Sequence, residues 1–154
     1  MSVSVEQRSN ARLAVVQALY QMEVAGKGLN DIFAEFETHW MGREIEGEQY
    51  KPAEVGFFRD ILQGVLDEQV MIDREIDAAL QGGWPLARIE TVMRAILRAG
   101  AYELHKRKDV PMRVVIKEYV DVAGAFFGPT ESGMINAVLD RLARQTRPKE
   151  MTKD

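Results

Sequence analysis

Between residues 86 and 106 apolar side chains fall on nearly every side of a helical wheel, with Ile89, Met93, Ile96, Leu97 and Leu104 on one face and Val92, Ala95, Ala99 and Tyr102 on another. A helix that is apolar all round must be covered all round, so this segment is expected at the centre of a helical bundle. Its one polar stripe is Glu90, Arg94, Arg98 and His105, in which Glu90 and Arg94 have the spacing and orientation of a favourable pair on one helix face.

The remainder of the chain supplies the cover. β-Branched residues occur inside helical periods and not in alternating runs, so an all-α fold is expected. The first helix should run from about residue 6 or 10 to 25, with Leu13, Val16, Leu19, Tyr20 and Val24 inward and Gly26 as a left-handed stop. A shorter helix follows with Asn30 as its cap and Ile32, Phe33, Phe36 and Trp40 at helical spacing. Residues 42–52 are Glu-rich, carry two glycines and a proline and have no period, which reads as a loop. A third helix starts near Ala53, carries Val55, Phe58, Leu62, Val65 and Leu66, and either continues or breaks near Asp73 before Ile76 and Leu80. Gly82, Gly83 and Pro85 end it, dividing one domain into subdomains of about 1–81 and 85–147. Pro111 suits the first turn of the next helix, which reaches about Phe126. Thr130 or Ser132 then caps a last helix with Ile135, Val138, Leu139 and Leu142 inward, and residues 148–154 read as a frayed tail.

At 154 residues the chain has the length of one domain. No apolar run approaches the ~20 residues that span a bilayer, and the first 25 residues are amphipathic and unlike a secretory signal, so a cytoplasmic protein with no membrane association is expected. With no cysteine, thiolate nucleophiles and thiolate-bound zinc are excluded. His39 and His105 have no partner at metal-ligand spacing, and no phosphate-binding glycine loop occurs, so neither an enzyme nor a cofactor is expected. The carboxylates Asp67, Glu68, Asp73, Glu75 and Asp77 read as a solvated helix face.

The net charge of −4 conceals an asymmetry: residues 1–84 hold 7 Lys and Arg against 15 Asp and Glu, whereas residues 85–154 hold 13 against 9. An acidic protein can thus carry a local basic surface, and phosphate affinity follows the local field. The basic run His105, Lys106, Arg107, Lys108 ends a helix, where the macrodipole favours positive charge, and it also adjoins Arg94 and Arg98 in a track that could meet phosphates. Arg8 and Arg12 share one helix face.

Four ordered blocks carry a resemblance: "ARLAVVQALYQ" (11–21), "FFRDILQGV" (57–65), the run "LRAGAYEL", "KRKDVP", "VVIKEYVDVA" (97–123) and "NAVLD" (136–140). In this order and spacing they resemble NusB, the bacterial transcription antitermination factor. That resemblance implies an all-α fold of two small helical bundles packed across each other, and binding of the boxA element of ribosomal RNA leader transcripts together with NusE, a small-subunit ribosomal protein. The pair then nucleates an antitermination complex on RNA polymerase. It further implies an RNA surface containing Arg8 and Arg12, all that this chain keeps of the family's arginine cluster, to which the basic run adds Lys106 and Arg107 on its own chemistry. Met134 stands where relatives can have an aromatic, which leaves Phe127 and Tyr119 as the nearest stacking residues. Glu131 matches an acidic position whose substitution modulates antitermination. For the ribosomal-protein partner the resemblance implies Tyr20 and the central helix around Met93, with Glu90 and Arg94. Relatives can have Glu in place of Met93, so the acidic contact is either supplied by Glu90 or missing. Two other readings use the same fold: an interaction module that binds protein only, and a regulatory domain of an RNA-modifying enzyme.

Overall fold

A computed structural model describes residues 5–45, 52–80 and 85–151. Among the described residues eight α-helices follow in order: α1 (Val5–Ala25), α2 (Leu29–Ile45), α3 (Pro52–Asp67), α4 (Gln69–Ala79), α5 (Thr91–Lys106), α6 (Met112–Phe126), α7 (Pro129–Thr146) and the single turn α8 (Pro148–Met151). No strand occurs among the described residues. No helix there is long and apolar enough to cross a membrane.

The α5 segment is the centre that its sequence requires. Ten of its sixteen residues are buried, and α1, α3, α4, α6 and α7 all pack on it. The first bundle is α1 to α4 and the second α5 to α7, and they cross where α1, α3 and α4 lie against α5. Phe58, Ile61, Leu62, Ile72, Ile76, Ile96, Leu97 and Leu104 are fully buried in the core that the two bundles share, each contributing about 1.5–3 kcal/mol relative to exposure. The crossing of α3 and α5 is set by Gly64. A Cβ there would lie 2.1 Å from the Tyr102 ring, so any larger residue would push the helices apart.

Several boundaries differ from expectation, and packing or capping explains most of them. Gly26 stops α1 with φ of 69° as expected, but α2 starts at Leu29, with the Ile32 amide donating to the Gly28 carbonyl, so Asn30 lies inside the helix and is not its cap. α2 also continues to Ile45, through what reads as loop, and Pro52 opens α3. The rest of that loop, residues 46–51, falls outside the described residues, as do residues 81–84 at the expected subdomain boundary. The α3–α4 break comes at Glu68, with φ −108° and ψ 14°, not near Asp73. Neither glycine nor proline marks it; the kink lets Leu62 and Val65 on one side and Ile72, Ile76 and Ala79 on the other all reach the core.

The central helix starts at Thr91 and not at Leu86. Leu86–Arg88 form a separate 3-10 turn, anchored by the Leu86 amide donating to Asp77 Oδ1 at 2.7 Å. Glu90 is the N-cap of α5, accepting from the amides of Val92 and Met93 at 2.9 and 3.2 Å. The expected Glu90–Arg94 pair is therefore replaced by a cap, because Glu90 precedes the helix. Among the described residues the C-terminal segment continues into α8, and residues 152–154 of the expected tail lie outside them. Arg147 is buried, and Glu150 accepts a hydrogen bond from the Met112 amide at 2.8 Å.

Candidate nucleic-acid and partner interface

α1 lies between α3, α5 and α6 and presents its arginines to all three. Arg12 is drawn inside, at 1% exposure. Its Nε and Nη2 donate to the two oxygens of Glu103 at 2.7 and 3.0 Å, and Nη1 donates to Glu118 at 2.7 Å. The Tyr119 hydroxyl also donates to Glu103, and the Ser9 hydroxyl to Glu118, each at 2.5 Å. Burial works against the Arg12 charge, but the Glu103 bond and its field outweigh it, so the guanidinium holds its proton more tightly than usual. Burial and the neighbouring Glu103 charge push the Tyr119 hydroxyl well above the ordinary tyrosine range. This network joins α1, α5 and α6. It corrects two sequence expectations, since Arg12 is buried against two carboxylates and so does not reach the surface for a phosphate, and fully buried Tyr119 cannot stack on a base.

Arg8, one turn earlier, is half-buried at the surface. It meets Arg107 from the end of α5: both guanidinium groups lie 4.8 Å from the Phe57 ring centre, with Arg12 at 5.1 Å. Arg107 donates to Asp109 through Nε and Nη2 at 3.1 and 3.2 Å and to Asp60 through Nη1 at 2.8 Å. The bond to Asp109 comes first among the causes that hold the Arg107 charge firmly, and it lowers the Asp109 carboxyl in return. Asp60 also accepts from the Tyr102 hydroxyl, which burial and that carboxylate push up to about 12. Exposed Lys106 lies 3.7 Å from Glu68. Arg8, Lys106 and Arg107 are thus gathered at one end of the molecule.

The expected extension of this track along α5 is not there. Arg98 forks onto both Asp73 oxygens at 2.8 and 3.0 Å, and Arg94 donates to Glu23 and to the Ile89 carbonyl. Both side chains are mostly covered and act as ties between helices. His105 Nδ1 lies 3.9 Å from Glu75, beyond hydrogen-bond distance, and makes no such tie.

The remaining sequence-predicted residues lie at the other end of α1. Tyr20 and Glu90, with Val16, Gln17, Gln21, Val92 and Phe126, line one groove of about 530 Å³. Tyr20 and Phe126 are exposed, whereas Met93 is buried at 7% and faces the core, which removes it from the expected contact surface. Phe126 went unrecognised in the sequence because it continues an apolar helix pattern; an aromatic pair just before a glycine-proline turn was the available signal. Its ring lies 6.4 Å from that of Phe127, which packs partly against the core, as does Met134. Glu131 accepts from the Gly128 amide at 3.2 Å and closes the first turn of α7, the role expected of Thr130 or Ser132. Glu131→Ala should therefore lower stability by about 0.5–1 kcal/mol, read as a lower melting temperature, and leave RNA affinity unchanged. A tighter RNA complex at unchanged stability would instead place the carboxylate against phosphates.

The fold and these surfaces define an all-helical adaptor, with arginines gathered at one end and an aromatic-lined groove at the other. The NusB family model matches residues 9–144. Transcription antitermination protein NusB of Bradyrhizobium sp. (strain ORS 278) is 63% identical over 144 residues, covering 94% of this chain and 86% of the relative. That of Rhodopseudomonas palustris (strain BisB18) is 62% identical over 146 residues, covering 95% and 86%. The structure is similar to T. maritima NusB, with a TM-score of 0.80, 30% identity and full coverage of both chains. It also shares its fold with the NusB chain of a complex of antitermination factors NusB and NusE with double-stranded RNA, with a TM-score of 0.76, 20% identity and coverage of 92% and 99%. The chain belongs to the NusB family, and its role is that of a transcription antitermination factor.

Proposed function

We propose that the chain is a non-catalytic cytoplasmic adaptor that binds the boxA element of ribosomal RNA leader transcripts together with NusE and delivers both to RNA polymerase. The observation that carries this reading is the convergence of Tyr20, Glu90 and Phe126 in one groove. Aromatic side chains beside a carboxylate suit a protein partner with an apolar anchor and a basic neighbour. Arg8 and Arg107 lie at the opposite end of α1, and the helical rise puts Arg8 and Tyr20 roughly 18 Å apart, so RNA and protein can be held at once. The NusB chain of similar fold is found in complex with NusE and double-stranded RNA, which supports both partners. Within this reading Lys106 adds a phosphate contact, and Phe127 and Met134 offer apolar surface near the groove end.

Arg8, Lys106 and Arg107, the cations assigned to RNA in this reading, each already face a carboxylate. The chain alone should therefore bind boxA RNA weakly, with NusE tightening the complex and RNA tightening NusE binding by the same factor. Calorimetry with boxA and scrambled RNA, with and without NusE, checks this. Equal RNA affinity in the presence and absence of NusE would overturn the cooperative reading, and no RNA binding in either condition would favour a module that binds protein only.

A further inference from the structure

Two arginines converge on the Asp109 carboxylate. Arg107 aims Nε and Nη2 at its two oxygens, and Arg8 Nη2 lies 3.7 Å from Oδ2. Two guanidinium groups converging on one two-oxygen acid is the arrangement with which arginines receive a phosphodiester. The fork does not depend on Asp109 alone. The Phe57 ring supports both guanidinium groups, and Asp60 holds the third Arg107 nitrogen from the side. Asp109 is the more exposed member, its side chain being 55% exposed against 23% for that of Arg107, so solvent and ligands reach the carboxylate first.

The geometry points to Asp109 as an internal substitute for an RNA phosphate: it fills the Arg8–Arg107 fork in the free protein and yields it when RNA binds. Asp109 thereby sets the affinity of the arginine end, an inference that rests on the RNA-binding reading above. A carboxylate in this place lowers affinity for every polyanion equally, so only an RNA held by further contacts, or by NusE, displaces it. Glu131 cannot do the same, because its carboxylate closes the α7 cap at the far end of α6.

Asp109→Asn keeps the shape and removes the charge. Labelled boxA RNA is titrated with NusE saturating, over several salt concentrations, for the wild type, Asp109→Asn, Arg107→Gln and the double variant, with melts alongside. Asp109→Asn should tighten binding by roughly three- to tenfold at low salt, converging with wild type at high salt. The slope of log K against log salt should steepen by up to about 0.7, because the displaced wild-type carboxylate takes back a counterion on RNA binding and the neutral amide does not. In the Arg107→Gln background the gain should disappear, because the two positions act through one site. Should Asn destabilise the turn, Asp109→Ser, another turn-forming residue without charge, carries the same readouts. Unchanged affinity and slope, or weaker binding at unchanged melting temperature, would overturn the inference and make Asp109 a support for Arg107. Failure of the underlying reading is distinct: the wild type with NusE would then show no preference for boxA over scrambled RNA at any salt, and both would fall.

Discussion

Replacing Arg12 by Ala should lower stability by about 3–5 kcal/mol, because Glu103 would be left charged and uncompensated at zero exposure. The loss is that of a partner removed from a buried pair, and it differs from the net worth of the pair. Arg12→Met combined with Glu103→Gln should therefore recover most of it, with the Tyr119 hydroxyl still able to hydrogen-bond the amide. Denaturant melts of the single and double variants check this. A loss below about 1 kcal/mol for Arg12→Ala would mean that water reaches Glu103, and that Arg12 is closer to the surface than its 1% exposure implies. The RNA experiment should separate the two arginines as well: only Arg8→Ala should reduce the salt slope, by about 0.7.

The second large effect is expected at Arg147, past the end of the family match at residue 144. Its guanidinium donates to the carbonyls of Glu103, Leu104, Arg107 and Val110 at 3.0, 2.9, 2.8 and 2.5 Å, and to Glu150 at 3.1 Å. These carbonyls end α5 and form the turn that carries Arg107 and Asp109, so one buried cation neutralises a helix C-terminus and shapes the arginine end. Arg147→Ala should cost about 2–4 kcal/mol, since several buried acceptors lose a charged donor together. Arg147→Lys should recover only part, because an ammonium cannot reach four carbonyls in a planar fork. A melt showing Arg147→Ala within about 0.5 kcal/mol of wild type would reduce Arg147 to a surface residue of a frayed end.

The two substitutions act on side chains of one chemical type that the sequence treats differently. Arg12 lies in a block that marks the family, which is why it reads as part of an RNA surface. Arg147 lies where composition turns polar, which is why it reads as the edge of a tail. Both are interior cations, because each meets acceptors that are far away along the chain: Glu103 and Glu118 for Arg12, and the α5 terminus for Arg147.

The helical periods, the all-round apolar character of α5 and the left-handed stop at Gly26 were determined by the sequence alone. Each depends on residues within a turn or two of one another, where local sterics and burial leave few alternatives. The order and spacing of the blocks also determined the family, and with it the two crossed bundles. Only the tertiary structure decided which arginines face solvent, that Met93 turns inward, and that Phe126 is exposed whereas Tyr119 is buried. It also decided that α3 breaks at Glu68 and that Glu90 caps α5. A single helical stripe cannot tell a cation bound for water from one that will meet a buried carboxylate. Glu103, on the otherwise apolar face of α5, was the one local sign that such a partner had to exist, since a carboxylate with no exposure requires a cation or donors from elsewhere in the fold.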